Sequence, residues 1–186
     1  MEILLTRHGQ TEWNLLKKVQ GKADIELNEK GVKQAEETRD SLKNEEIDLI
    51  LCSPLKRAMQ TAEIINQERN IKVIIDERIS ERDFGEFEGM HSKDFDFKAF
   101  WSYRQNLKYD KAENIRDFFE RVYEFLDSIK NEYAGKRILI VAHGGISIPV
   151  KCYFEGIPDM DTLLPLCLGN CEVAQYTYKE IDIDER

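Results

Sequence analysis

The sequence predicts an α/β fold, a three-layer α/β/α sandwich built around a mostly parallel central sheet. Three observations carry that expectation. Short apolar runs that read as buried strands alternate with longer stretches of helical periodicity, the order that joins parallel strands through crossover helices. The hydrophobic fraction, 41%, is enough for a sizeable core. No linker, repeat or low-complexity segment divides the 186 residues, so one domain spanning 1–186 is expected.

The elements follow in order. Met1 to Thr6 is an apolar run that ends in Arg7-His8-Gly9. Leu27 to Lys43 reads as a helix, with Gly31 near its start and Ala35, Thr38, Arg39 and Leu42 at helical spacing. Ile47 to Cys52 is the second strand. Ser53-Pro54 then reads as a helix start, with Ser53 as the cap and Pro54 in the first helical position, the helix running to about Gln67. Ile71 to Ile75 is the third strand.

Residues 76 to 112 show no clean period; they hold Gly85 and Gly89, then Phe95, Phe97, Phe100, Trp101 and Tyr103. From Glu113 to Tyr133 an apolar stripe of Ile115, Phe118, Phe119, Val122, Leu126 and Ile129 marks a helix, with Glu113 read as a carboxylate at its positive end. Arg137 to Ala142 is a buried strand that ends in His143-Gly144-Gly145. Ile146 to Phe154 is helical, with Pro149 accommodated near the first turn. Glu172 to Tyr178 suggests a late strand near an edge.

Composition excludes several function classes. The net charge of −9 argues against a nucleic-acid binder or a protein drawn to anionic membranes, either of which needs a basic face. An anionic small substrate is compatible with it, because a few arginines in a cleft set the local sign. No apolar run approaches the ~20 residues of a bilayer span. Met1 to Thr6 is too short for a signal peptide, so a cytoplasmic location is expected. Of the four cysteines, Cys52 and Cys152 read as core thiols, while Cys167 and Cys171 are expected to stay reduced. With three histidines and no ligand spacing, no metal is expected; His91 reads as a surface residue.

Ligands of open parallel sheets gather at the carboxyl ends of the strands. His8 and His143 sit at two such ends, Arg57 follows the second strand by a short helical step, and Glu81 follows the third. A neutral imidazole is a competent nucleophile near pH 7. Guanidinium groups answer the charge that gathers on phosphoryl oxygens with forked donors. A carboxylic acid is needed to protonate a leaving alkoxide and then to activate water.

These residues lie in motifs that resemble a known family. Thr6-Arg7-His8-Gly9-Gln10-Thr11-Glu12-Trp13-Asn14, Val19-Gln20-Gly21, Ser53-Pro54-Leu55-Lys56-Arg57-Ala58, the segment Glu81 to Gly89, and Val141-Ala142-His143-Gly144-Gly145 occur in one order. That order resembles the histidine phosphatase superfamily, also called phosphoglycerate mutase-like. The resemblance implies a phosphoglycerate mutase-like fold, with His8 as nucleophile, Arg7, Arg57 and His143 around the phosphoryl group, and Glu81 as proton donor. It further implies substrate or phosphate contacts from Asn14, Gln20, Gly21 and Gly144, no cofactor, and a small-molecule phosphomonoester as the partner. The span 90–112 falls where the family varies and is expected to form a flap over the substrate.

Phe84-Gly85-Glu86-Phe87-Glu88-Gly89 and the short 90–112 span resemble the phosphatase branch, with α-ribazole phosphate or sugar phosphates among its substrates. Two other classes stay open: a phosphoglycerate mutase-type phosphotransferase and a non-catalytic module that binds a phosphorylated ligand. Lys98, Arg104, Lys108 and Lys111 are candidates to hold a carboxylate or a second phosphate. Oligomeric state is not written in the sequence.

Overall fold

The computed structural model describes residues 1–178. Five strands, β1 (Glu2–Arg7), β2 (Leu49–Cys52), β3 (Val73–Ile75), β4 (Arg137–Ala142) and β5 (Val173–Thr177), form one sheet in the order β3-β2-β4-β1-β5. All neighbours are parallel except β5, which runs antiparallel to β1 at the edge. Five helices accompany them: α1 (Glu12–Leu15), α2 (Glu29–Ser41), α3 (Lys56–Asn66), α4 (Ile115–Glu132) and α5 (Gly144–Glu155).

The three layers follow from the two-residue period of strand side chains. Ile3 and Leu5, Leu49 and Leu51, and Ile138 and Ile140 point to one face, where they meet Phe118, Val122, Phe125 and Ile129 of α4 and Ile148 and Cys152 of α5. Leu4, Ile50, Cys52, Leu139 and Val141 point to the other, against Leu42, Ala58, Ala62 and Ile65 from the α2–α3 side. Sequence neighbours on a strand thus belong to different cores. Burial on both faces explains why these strands read as continuous apolar runs.

Three boundaries differ from the sequence expectation in ways that bear on the site. The helix after β2 begins at Lys56, beyond Ser53 and Pro54, and its N-cap Leu55 makes no side-chain cap bond. The free N–H of Lys56 donates instead to Asp24 Oδ1 at 2.8 Å, a cap supplied by a distant loop. Glu113 precedes the N-cap of α4, which is Asn114. Its carboxylate accepts two bonds from Arg121 at 2.8 Å, so pairing, not the macrodipole, places it. Helix α5 starts two residues earlier than expected, at Gly144, which puts Pro149 inside the helix and beyond its first turn.

Candidate active site

Parallel register sets the frame. Arg7 pairs with Ala142 and Cys52 with Val141, so β1, β2 and β4 end at one level. The residues that follow, His8, Ser53 and His143, are thereby brought side by side. The backbone continues the ladder one step further: His8 N donates to Ala142 O at 2.9 Å and Ser53 N to Val141 O at 3.0 Å. The chain leaving β1 heads for α2 on one face, and the chain leaving β4 enters α5 on the other, which opens the crevice where open α/β sheets bind ligands. Close approach by glycine packs the exit of β1: a Cβ on Gly9 would lie 2.3 Å from the Gly31 carbonyl oxygen.

The rings of His8 and His143 lie at the floor, centroids 5.3 Å apart and both almost fully buried. Two contacts set the His8 tautomer. Its Nδ1 is 2.7 Å from the Gly9 carbonyl, which can only accept, so Nδ1 carries the proton. Arg57 Nε donates to His8 Nε2 at 3.2 Å, which requires a lone pair on Nε2. Burial, with Arg57 and Arg7 adding to it, holds the His8 pKa well below 6.5. At pH 7 the ring is therefore neutral, and the Nε2 lone pair, held by Arg57 Nε–H, belongs to a residue that lines the cavity.

His143 is driven the same way by burial and by Arg57. Its Nε2 lies 2.6 Å from Ser53 Oγ, while Nδ1 is buried without a protein partner. Ser53, expected as a helix cap, is thus the orienting partner of the second histidine. In the tautomer where the Ser53 hydroxyl donates to Nε2, Nδ1–H is left as a donor for an incoming oxygen.

Arg57 is completely buried. Besides Nε on His8, Nη1 donates to Ala23 O and Nη2 to Gly21 O, each at 2.7 Å. Burial lowers its pKa to about 10, which leaves it charged at neutral pH. These bonds bind the 20–24 loop to the nucleophile. Arg7 Nη1 donates to Leu168 O at 2.8 Å, and its buried Nε has no partner. An anion in the cavity would satisfy that donor.

Glu81 lines the cavity with His8 from the segment after β3. Its Oε2 accepts from Gly145 N at 3.0 Å and its Oε1 from Arg82 N at 2.9 Å. Only glycine permits this approach, since a Cβ on Gly145 would lie 2.1 Å from Glu81 Oε1. Arg121, steered by Glu113, braces the segment by donating to the carbonyls of Arg78 and Ser80. Gly144 opens the first turn of α5, where helix geometry gives its N–H no intrahelical acceptor and favours an anion.

A cavity of about 240 Å³ brings Arg7, His8, Asn14, Gln20, Gly21, Arg57, Glu81 and Gly144 onto one surface. His143 lies beneath it, against His8. Asn14 has a structural task as well: its Oδ1 accepts from Thr11 N in the capping box of α1. Gln20 Oε1 accepts from Thr11 Oγ1 at 3.0 Å, leaving its amide N–H groups for the cavity. Asn170 Nδ2 donates to His8 O at 2.9 Å and steadies the nucleophile from the β5 side. Nothing in the local sequence around Ser53 or Asn170 signals these contacts.

The outer wall has an aromatic and a cationic part. Phe84, Phe97, Trp101 and Leu164 form the first, Lys17 and Lys18 the second, with Ser92 beside them. Phe100 and Trp101 are also core residues, packed on α4 and held by Arg82, which donates to the carbonyls of Glu113 and Phe100 and lies over the Phe84, Phe100 and Trp101 rings. Lys98, Arg104, Lys108 and Lys111 do not line the cavity; Arg104 pairs with Asp159. Cys167 lines it beside Arg7, its thiol pushed up by burial. His91, half-buried, bridges through its backbone to Lys18. Among the described residues, no helix is long and apolar enough to cross a membrane, and no cluster of three or more metal-ligating side chains occurs.

The model of the histidine phosphatase superfamily (branch 1) matches residues 3–183. Uncharacterized phosphatase PhoE of Bacillus subtilis is 37% identical over 180 residues, 95% of this chain and 91% of its own. Phosphoserine phosphatase 1 of Hydrogenobacter thermophilus is 29% identical, over 100% of this chain and 88% of its own. The solved structure of YhfR from Bacillus stearothermophilus superposes with a TM-score of 0.85 at 31% identity, covering 94% of this chain and 89% of that one. By sequence along nearly its whole length and by fold, the chain belongs to the histidine phosphatase superfamily.

Proposed function

We propose that the protein is a phosphomonoesterase that hydrolyses a small phosphorylated metabolite through a phosphohistidine on His8. The observation that carries this reading is the pinned tautomer: Nδ1–H on the Gly9 carbonyl and a lone pair on Nε2, in a ring kept neutral by burial. Phosphatase relatives support the reaction class. In the first step His8 Nε2 attacks phosphorus, the ester P–O bond breaks, and Glu81 gives its proton to the departing alkoxide. Arg57 Nε–H, the Arg7 guanidinium, His143 Nδ1–H and the Gly144 N–H receive the phosphoryl oxygens. In the second step Glu81, now a carboxylate, takes a proton from water, which attacks phosphorus and releases inorganic phosphate and neutral His8. One well-aimed donor of this kind lowers the barrier by roughly 3 kcal/mol.

The substrate class follows from the wall. A cavity of about 240 Å³ accepts a phosphoryl group and a short alcohol within it, while larger leaving groups, such as sugars or α-ribazole, extend from its mouth. The decisive experiment is rapid quench with p-nitrophenyl [³²P]phosphate. Wild-type protein should give a labelled species that is stable in base and lost in acid, and His8→Ala should give neither label nor nitrophenolate. Full hydrolysis by His8→Ala would sink the reading. Phosphate moved between hydroxyls of 2- and 3-phosphoglycerate, with no inorganic phosphate released, would point to the mutase-type phosphotransferase instead. Ligand binding with neither activity would point to the non-catalytic module.

A further inference from the structure

Charge in the cavity exceeds what one phosphoryl group needs. Among its lining residues are four cations, Arg7, Lys17, Lys18 and Arg57, and one carboxylate, Glu81. Arg7 and Arg57 match the two charges of a phosphomonoester dianion. Glu81 already accepts two backbone N–H bonds, from Arg82 and Gly145. Lys17 and Lys18 are left over. Among the described residues neither forms an ion pair. In a chain of net charge −9, two adjacent unpaired cations on the wall of one cavity are a local reversal of sign.

The main chain that carries these two exposed lysines is held in place. Lys17 has φ 54°, a left-handed conformation that a lysine adopts at a cost of about 1 kcal/mol or more. It is kept there by bonds on both sides: Lys17 N donates to Asn14 O at 3.1 Å and Ser92 N to Lys17 O at 3.0 Å. Val19 N on Met90 O and Gly89 N on Val19 O complete a short ladder between 17–19 and 89–92. The Lys18 ammonium lies 5.7 Å from the centre of the Trp13 ring, whose face restrains it. Gly89, at φ 84°, lets that ladder close over Trp13.

We propose that Lys17 and Lys18 form a second anion subsite, so that the substrate is a small phosphomonoester whose alcohol carries a further anionic group, a carboxylate or a second phosphate. This inference rests on the phosphomonoesterase reading and narrows it. Phe84, Phe97 and Trp101 line the same cavity and take the carbon skeleton between the two charged ends.

Two matched pairs test it. The first is 3-phosphoglycerate against glycerol 3-phosphate, which differ by a carboxylate in place of a hydroxymethyl group. The second is propane-1,3-diol bisphosphate against its monophosphate. Wild-type protein should favour the doubly anionic member of one pair or both by about tenfold in kcat/KM, and the arm that shows it names the anion. In the double variant Lys17→Gln/Lys18→Gln that ratio should fall towards one. A wild-type ratio near one in both pairs overturns the subsite, as does an equal loss on both members, which is diffusional steering. Calorimetric binding of the same pairs to His8→Ala reads the preference without turnover, so it decides the subsite even if hydrolysis fails. Release of nitrophenolate from p-nitrophenyl phosphate by wild-type protein separately decides the parent reading.

Discussion

The two halves of the cavity are built by different means. In the phosphoryl half the groups arrive from the ends of parallel strands, from helices locked against them and, for Glu81, from the segment after β3, and their atoms are fixed by directional bonds, mostly to backbone. His8 lies between the Gly9 carbonyl and Arg57, His143 against Ser53, and Glu81 on two N–H groups. In the outer half the residues come from the irregular 84–101 segment, from Leu164 and from the 17–19 loop. Phe84, Phe97 and Trp101 meet there through tilted and edge-on ring contacts of 5.7 to 6.3 Å. A nucleophilic nitrogen must point along one line, so hydrogen bonds and strand register define it. A wall that sorts alcohols needs only shape and charge, so non-directional packing suffices, and such contacts admit other side chains without moving the floor.

The largest effect that probes this division is expected at Glu81. Glu81→Gln keeps one of the two backbone contacts, because its amide has a single acceptor oxygen for Gly145 N or Arg82 N, and removes the acid. With an alkyl ester such as glycerol 3-phosphate, kcat should fall by roughly 10²- to 10⁴-fold, the usual worth of a positioned acid or base. With p-nitrophenyl phosphate the leaving group needs no proton, so His8 is still phosphorylated and only the hydrolytic step stalls. Stopped-flow measurements should then show a burst approaching one nitrophenolate per active site. An equal loss on both esters without a burst would move Glu81 out of the proton relay and make it a brace for α5.

How much of this was legible in the sequence follows the same division. His8 and His143 stand out because each ends an apolar strand run and is followed by glycine, a local signal that parallel register turns into proximity. The order of strands and helices gave the layers for the same reason: strand and helix periods are local. Beyond the neighbours Gly9 and Arg82, the partners that aim the groups are not local. Ser53 reaches His143 across 90 residues and Asp24 caps Lys56 across 32, and a serine before a proline reads as a cap in any sequence. Glu113 looked like a dipole partner because Arg121, eight residues on, carries no mark of its role. The four basic residues from Lys98 to Lys111 drew attention by clustering in the chain, whereas Lys17 and Lys18 meet the cavity through a backbone ladder to 89–92.

Burying two neutral histidines should appear in stability as well as in catalysis. Both have folded-state pKa values well below 6.5, chiefly through desolvation. Between the folded value and 6.5 the unfolded chain binds protons that the folded chain refuses, so stability is lost as pH falls below 6.5 and is unaffected above it. The limiting slope is about 1.4 kcal/mol per pH unit for each histidine. Urea unfolding of wild-type protein and of His143→Gln at pH 7.5, 6.0 and 5.5 isolates one of the two, since the carboxylates are common to both. The variant should lose stability less steeply on acidification. Parallel curves would mean that His143 protonates freely in the fold, and that the floor is less closed to solvent than the burial of its rings implies.

The smallest effect is expected on the outer wall, at Phe97. The residue is half-buried, touches Phe84, Phe95 and Trp101, and lines the cavity. Phe97→Ala removes one panel of the wall without touching the histidines, arginines or Glu81. An aromatic leaving group loses contact area worth about 1–2 kcal/mol, so KM for p-nitrophenyl phosphate should rise roughly five- to thirtyfold. Inhibition by inorganic phosphate, which reports only the floor, should change less than about twofold. If phosphate inhibition weakened in step with KM, the wall and the floor would be one mechanical unit, coupled through Trp101, whose ring a Cβ on Gly145 would meet at 2.7 Å. Independent responses would establish that the alcohol side of the site can be changed while the phosphoryl side stays as it is.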